Sequence, residues 1–547
     1  MDVLTTVSTR RTPQTEKAEP RQIRNAAGGY TFAVDDWGRV NRFLTLGVDG
    51  GTYYTSAGDL AKDNAEVILR AAAANPIELV RRIVEVSTAG RAPKQNPALF
   101  ALAIAAAAED PDGRRAAMAA LPQVARTGTH LFLFARYVEQ FRGWGPALVK
   151  GVARWYTQRP VDKLAYQVVK YRQREGWTHR DLLRLSHPVT EEPARRALFE
   201  YVLRGEKAQG ATVENLAVLT PAIVDDFTAA QLATTNHQWV QIIQRGNGIS
   251  WEMLPDAALN LPEVWEELLD KGVPQTALMR QLPRLTRLGL AVGDTGRLIA
   301  AQLQDADRLK RGRVHPINVL VAQRTYASGR SARGVGEWTP VSRISDALDA
   351  GFYNAYGAVE PSGKRILLAL DVSGSMTAAA SGLPLSCREA SAAIAMVTAA
   401  TEPSCDIVGF TGIHERRGFR VGISGNTLTE LDVSPRRRLD DVCRYIDGLP
   451  MGMTDCALPF TWATEQKRAY DAVVILTDNE SWAGPVHVHQ ALRQYRERVN
   501  PETRLVVVSM AGTRNSVADP RDLKSLDVSG FDSAVPQVIS DFAAGRI

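Results

Sequence analysis

The sequence predicts a multidomain protein, with an all-α, HEAT-like helical-repeat front joined to a doubly wound α/β back. Three observations carry that expectation. The chain has 547 residues, too long for one ordinary domain. Its apolar periodicity is helical from about residue 60 to 330, then becomes alternating strand and helix beyond Pro361-Ser362-Gly363. The charge changes at the same place. Residues 363–547 hold 20 basic and 22 acidic side chains, against 45 and 38 in residues 1–362. The modest net charge of +5 therefore conceals a basic front and a faintly acidic back, which points to different partners for the two parts.

Composition narrows the class. With 45% hydrophobic and 23% charged residues, wholesale disorder and collagen-like or coiled-coil architecture are excluded. The apolar run 101–108 stops at Glu109-Asp110-Pro111, well short of the roughly 18 residues a membrane helix needs. No hydrophobic signal core opens the chain. Residues 1–25, rich in Thr, Arg and Pro, read as a disordered tail; Asp2, Glu16 and Glu19 argue against a transit peptide. The four cysteines lack a C-x-x-C pair and read as reduced core thiols. A cytoplasmic protein without a membrane partner is expected.

In the front, Ala- and Leu-rich segments punctuated by Pro, Gly or Asn predict helices over 63–74, 76–87, 97–109, 113–126, 146–157 and 161–175. With no sheet to cover, they should stack as helical pairs. Residues 163–188 read KLAYQVVKYRQREGWTHRDLLRLSHP. Gly176 reads as a C-terminal cap, and Thr178 with Asp181 as a capping box for a second helix before Pro188. On that reading Lys170 and Arg174 share a face of the first helix, while Arg180, Arg184 and His187 share a face of the second. Residues 151–187 carry eight basic and three acidic side chains, and residues 280–343 carry twelve and four. Charge runs of this kind are ordinarily solvated faces. Two of them with few acids interleaved suggest a surface for phosphate backbones.

In the back, strands are expected at 366–370, 405–410, 472–477 and 504–509, and helices around 386–400, 436–447, 456–468 and 486–498. Ligands of such sheets bind beyond the carboxyl ends of the strands. Asp371-Val372-Ser373-Gly374-Ser375 follows the first strand, and Asp478-Asn479-Glu480 ends a later one. Gly452-Met453-Thr454-Asp455 opens a helix between them. Asp371, Ser373, Ser375, Thr454 and Asp478 supply only hard oxygen donors, the set for Mg²⁺ or Mn²⁺. Asp455 is either a further ligand or the cap of the next helix. Gly357 with Gly363-Lys364 is no phosphate loop, because the spacing is wrong and Arg365 stands where a hydroxyl is needed. His487 and His489 are expected on a helix surface.

The Asp-x-Ser-x-Ser turn with Thr454 and Asp478 resembles the metal-ion-dependent adhesion site of von Willebrand factor A domains. By that resemblance Ser373, Ser375 and Thr454 bind the ion directly, and Asp371 and Asp478 directly or through water. More broadly, YRQREGWTHRDLLRLSHP (171–188), RVHPINVL (313–320), LALDVSGSM (368–376), GMTDCALP (452–459), LTDNE (476–480) and ADP…GFD (518–532), with Gly50–Tyr54, resemble the Ro 60-kDa autoantigen family, bacterial-type members above all. The resemblance implies a TROVE domain over 26–362 and a von Willebrand A domain over 363–547. It implies a monomeric ring of helical pairs that binds small noncoding Y RNA on a basic outer surface. Single-stranded 3′ ends of misfolded or ribosomal RNA would enter the central hole, and an exoribonuclease, polynucleotide phosphorylase, would be tethered through RNA. It makes Lys170, Arg172, Arg174, Arg180, Arg184 and His187 the RNA contacts, although residues 189–212 depart from animal sequences. The competing expectation is a metal-dependent protein-interaction scaffold without RNA, like the A-domain subunits of metal chelatases. A ribonuclease finds no paired carboxylates or histidines on the basic face.

Overall fold

The computed structural model describes the chain apart from residues 1–6, 9, 47–56, 90–94, 206–219, 332–335, 381–382, 418–419, 451–452, 511–514, 532–534 and 547. Gly50–Tyr54, residues 206–212 of the segment after His187, Gly452 and Asp532 thus lie outside the described residues. The chain divides into two compact units: residues 1–67, 304–325 and 348–547, and residues 68–303 and 326–347.

The first unit begins where a disordered tail was expected. Residues 10–25 are instead packed. β1 (Gln22–Arg24) and β2 (Tyr30–Ala33) pair antiparallel, with Gln22 opposite Phe32. The turn between them closes through Asn25, whose side-chain oxygen accepts from the Gly29 N–H at 2.7 Å. The segment is held by amides rather than by apolar side chains, which is why its composition misled. Gln14 and Gln22 are both buried, and the Gln22 side-chain oxygen Oε1 accepts from the Ala18 and Glu19 N–H groups.

The second unit is helical, as predicted. Helices Pro76–Thr88, Asn96–Ala107, Pro111–Val124, Gly128–Phe141 and Pro146–Thr157 each start at or beside a Pro, Gly or Asn. The first helix touches the next two, and so does the second, the stacking pattern of a helical-repeat array. Asn96–Ala107 is buried at every position from Pro97 to Ala106 except Phe100, so it forms an inner layer.

One boundary differs from expectation. Helix Val161–Lys170 ends five residues before 175, because Tyr171 (φ −116°, ψ 56°) leaves the helical region. β3 (Gln173–Arg174) and β4 (Trp177–Thr178) follow as a short antiparallel hairpin. Glu175 and Gly176 both have positive φ, as a two-residue hairpin turn requires, so Gly176 turns a hairpin and caps no helix. The capping box is present: Thr178 Oγ1 accepts from the Asp181 N–H at 3.1 Å, and Asp181 accepts from the Thr178 N–H at 3.0 Å.

The remainder of the first unit is built on β5 (Arg365–Asp371), β6 (Ser404–Arg417), β7 (Arg420–Glu430), β8 (Ala472–Thr477), β9 (Arg504–Ser509), β10 (Asn515–Ser516) and β11 (Ser525–Ser529). Six of them form one sheet in the order β11-β9-β8-β5-β6-β7, parallel except for β7 at its edge. β10 joins β2 instead, which ties the N-terminal hairpin to this unit. All four predicted strands and the four helices between them are present. Leu367, Ala369, Val473, Ile475, Leu505 and Val507 point to one face, against Phe460, Leu492 and Tyr495. Alternation sends Ile366, Leu368 and Val474 to the other, where they meet Ile394, Val397 and Ile539. The sheet is thus covered on both sides and leaves its strand ends for function.

Candidate metal centre and nucleic-acid interface

β5 and β8 are parallel neighbours, with Leu370 in register with Leu476. They end together, so Asp371 arrives beside Thr477 and one residue short of Asp478. Thr477 Oγ1 donates to Asp371 Oδ2 at 2.7 Å, and the Ser373 N–H donates to Asp371 Oδ1 at 2.9 Å. The turn that follows brings Ser373 Oγ within 3.1 Å of Ser375 Oγ. The Thr454 carbonyl accepts from the Trp482 and Ala483 N–H groups, at 3.1 and 3.2 Å, which lays its loop against the one that follows Asp478. Asp371, Ser373, Thr454 and Asp478 are all buried.

The electrostatics of this corner are unbalanced. Burial, and then the charge of Asp478, push the Asp371 carboxyl up to about 6, against the pull of the Ser373 and Thr477 hydrogen bonds. One oxygen of Asp478, Oδ2, is buried and has no hydrogen-bond partner within the protein. A buried carboxylate oxygen without a donor, beside two hydroxyls and a second carboxylate, fits a hard divalent cation. Among the described residues no group of three His, Cys, Asp or Glu side chains is placed to hold a metal, so a cation at this corner would draw its other ligands from the hydroxyls.

Several residues at this corner were not singled out from the sequence. Thr477 was legible in principle, as the residue in register with Asp371. Arg388 was not: buried on the helix Cys387–Thr401, it donates to the Ser373 carbonyl at 3.0 Å and pairs with Asp447 at 2.7 Å. Asp455 accepts from the Ala457 N–H at 3.0 Å in the turn before helix Leu458–Glu465, whose N-cap is Ala457 and which has no side-chain cap. His487 and His489 are buried instead of lying on a helix surface. They face the N-terminal segment, with His487 Nε2 2.8 Å from the Glu16 carbonyl oxygen and His489 packed edge-on to Phe32.

The basic residues of the helical unit separate into unlike groups. Arg174 belongs to the β3–β4 hairpin and so shares no helical face with Lys170. Arg180 and Arg184 stand exposed on helix His179–Ser186, and His187 follows as its left-handed cap (φ 43°). Arg172 lies over the Phe227 ring at 5.1 Å. The nearby acids are already engaged, Glu175 with Arg136 and Asp181 in the capping box. Among the described residues none lies within ion-pair distance of Arg172, Arg174, Arg180 or Arg184.

Lys170 differs. Its side chain is 14% exposed, donates to the Tyr166 hydroxyl at 3.0 Å and pairs with Glu252 at 3.3 Å. Burial opposes its charge, but those two partners outweigh it and raise its pKa. The stretch 280–343 is likewise partly committed. Arg324 pairs with Glu389 and Asp440, Arg297 with Asp294, and Lys310 and Arg311 occupy the last turn of a helix, where cations are favoured.

Beneath the hairpin sits His179. It is buried against Phe132 and Trp155, its Nδ1 lies 2.7 Å from the Tyr156 hydroxyl, and desolvation pushes it down to about 3. Gly128 leaves room for it, since a Cβ there would come within 2.9 Å of His179 Nε2. This histidine anchors the arginine-bearing helix and does not join its surface.

A helical-repeat unit joined to a doubly wound domain with oxygen donors at its strand ends defines the TROVE–von Willebrand A class. Sequence comparison agrees: residues 23–219 and 244–325 match the TROVE domain, and residues 365–543 match the Ro60 vWA domain. The chain is 37% identical to the RNA-binding protein RO60 of Deinococcus radiodurans, over 98% of each chain. It is 34% identical to the RNA-binding protein RO60 of Caenorhabditis elegans, over 98% of this chain and 92% of that one. The crystal structure of the Deinococcus radiodurans RO (RSR) protein superimposes with a TM-score of 0.71 at 36% identity, covering 94% of this chain and all of the other. The chain belongs to the RO60 family.

Proposed function

We propose that this protein is a non-catalytic, cytoplasmic RNA-binding protein, the core of a small ribonucleoprotein. It binds Y-type noncoding RNA on the arginine surface around β3, β4 and helix His179–Ser186. It also takes single-stranded 3′ ends of misfolded or ribosomal RNA, in quality control, maturation or decay, with an exoribonuclease such as polynucleotide phosphorylase joined through RNA. The observation that carries the reading is the exposure of Arg172, Arg174, Arg180 and Arg184 without an acidic partner, while Glu175 and Asp181 are engaged elsewhere. Charge left uncompensated in water is suited to phosphate, and release of counterions makes such binding steep in salt. The relatives named as RNA-binding proteins support the same reading. No helix among the described residues is long and apolar enough to cross a membrane.

The strand-end corner would hold Mg²⁺ or Mn²⁺ through Ser373, Ser375 and Thr454, with Asp371 and Asp478 direct or through water. Bound there, the ion would offer an open position to a carboxylate of a protein partner. The protein's own part is to bury the donors, fix their spacing and keep Asp371 oriented through Thr477. Filter binding of structured small RNA across a salt series tests the RNA reading. Nanomolar-range affinity with a steep salt slope is expected, and weak, salt-insensitive binding refutes it. RNA travelling with the purified chain, read from its A260/A280 ratio, separates this reading from a protein scaffold without RNA.

A further inference from the structure

The N-terminal segment reaches the metal corner through one side chain. Gln14 is 2% exposed, in a stretch whose composition gives no sign of a core. Its Nε2 donates to Asp455 Oδ1 at 2.7 Å and to the Val486 carbonyl at 2.9 Å. Its Oε1 accepts from Ser481 Oγ at 2.6 Å. Its backbone N–H donates to the Gly484 carbonyl at 2.9 Å, and its own carbonyl accepts from the Tyr30 N–H at 2.8 Å. One amide thus satisfies both its side-chain atoms on two loops at once, residues 454–456 and 478–486. The first loop carries Thr454 and the second begins at Asp478.

The surroundings are shaped for this arrangement. A Cβ at Gly484 would come within 2.3 Å of Asp455 Oδ1 and 2.4 Å of Gln14 Nε2, so only glycine admits the amide. Ser481 Oγ in turn accepts from the Cys456 N–H at 3.0 Å, which ties the two loops to each other through the atom that Gln14 holds. Asp455 has two donors on one oxygen, Gln14 Nε2 and the Ala457 N–H. Removal of Gln14 would leave buried Asp455 with a single donor there and would cut the link between the loops.

We propose that Gln14 is a positioning residue of the metal site: by bridging Asp455 and Ser481 it sets the separation of Thr454 from Asp478, so the N-terminal segment forms part of the metal-binding apparatus of the A domain. This rests on the metal reading given above, and it adds a residue more than 350 positions distant in sequence from the first of the ligands. Outer residues that orient ligands typically contribute about 10- to 100-fold to metal affinity.

The test measures Mn²⁺ binding by titration calorimetry on the full chain, in wild type, Gln14→Leu, Gln14→Ala and Gln22→Ala. Gln22 is buried on the same segment, and its contacts are to Ala18, Glu19, Tyr30 and His487, none of them to Asp455 or Ser481. Both Gln14 variants should bind Mn²⁺ about 10-fold or more weakly, with an unchanged circular dichroism spectrum. Gln22→Ala should lower the melting temperature and leave Mn²⁺ affinity within about 2-fold of wild type, because outer-shell effects require contact with the ligand loops. Wild-type affinity in Gln14→Leu, or an equal loss in Gln22→Ala, overturns the positioning role while leaving the metal site standing. Absence of Mn²⁺ binding by the wild type overturns both together. If the Gln14 variants melt too early for calorimetry, the rise in melting temperature on adding saturating Mn²⁺ replaces it. A rise equal to that of the wild type counts against the proposal.

Discussion

At the strand-end corner Asp371 and Asp478 are buried, fixed by neighbours and short of positive charge. Around helix His179–Ser186 the arginines stand in water, short of negative charge, on a scaffold fixed from beneath by His179. Both regions hold charge the protein itself leaves unbalanced. They differ in where the order resides. The corner orders its donors before any ligand arrives, so a small rigid ion suits it. The arginine surface orders only the backbone and leaves long side chains free, so a polyanion of variable contour suits it. One region should therefore respond to geometry and the other to ionic strength.

The most severe break of that comparison is Ser373→Ala with Ser375→Ala. Two of the predicted direct ligands disappear, and Mn²⁺ affinity should fall by at least about 100-fold, more than the loss of an outer residue. RNA affinity in the same variant should stay within about 2-fold of wild type if the two sites draw on different chemistry. A parallel loss of RNA binding would show that the regions are energetically coupled.

Replacing Arg172, Arg174, Arg180 and Arg184 together by Ala should act in the opposite sense. Each phosphate contact removed lowers the slope of log K against log salt by about 0.7 to 0.9, so the four together should flatten it by about 3 units. Mn²⁺ binding should be unaffected. A slope that does not move would place the RNA elsewhere on the chain.

These two variants also mark how legible each region was. The placement of the candidate metal donors could be read directly, because parallel strands end together and Asp371, Ser373, Ser375 and Asp478 are each tied to a strand end. Thr454 needed only the loop between. The arginine surface was legible as composition and misread as geometry. A helix through residue 175 would have placed Lys170 and Arg174 on one face, but Tyr171 leaves the helix and Glu175-Gly176 turns a hairpin. A two-residue turn with Gly in second place looks like a helix cap when its strand is only two residues long and follows the helix closely. The N-terminal packing was illegible for a different reason. Gln14 and Gln22 are buried polar side chains with partners over 440 residues away, Asp455 and His487, and no local pattern reports such pairing.

A smaller effect distinguishes the supports of the two regions by pH. Desolvation holds His179 at about 3 and His130 at about 4, both below the ordinary histidine value near 6.5. The unfolded chain therefore binds more protons between those values, and stability rises with pH there. The helical unit should be at full stability above about 6.5 and lose it as pH falls toward 3, by at most about 1.4 kcal/mol per pH unit for each histidine. His179→Gln should reduce the slope of melting temperature against pH only in part, since His130 still titrates, as do the depressed His315 and His489 of the other unit. An unchanged slope would mean His179 is not the proton acceptor.

The mildest change is expected from Lys170→Ala, and it sharpens the comparison within the basic region itself. Lys170 already spends its charge on Tyr166 and Glu252, and with 14% of its side chain exposed it has little surface to offer a phosphate. Arg174, on the hairpin, is exposed and has no acidic partner among the described residues. If uncompensated charge determines RNA affinity, Arg174→Ala should cost several-fold more than Lys170→Ala, whose effect should be about 2- to 5-fold. Part of even that small loss would come from freeing Glu252, whose carboxylate would then repel the RNA. The double variant Lys170→Ala with Glu252→Gln separates the two contributions. Recovery of near wild-type affinity assigns the loss to the released acid. Persistence of the loss assigns it to a direct contact between Lys170 and phosphate, and would place half-buried, paired cations among the working residues of this surface.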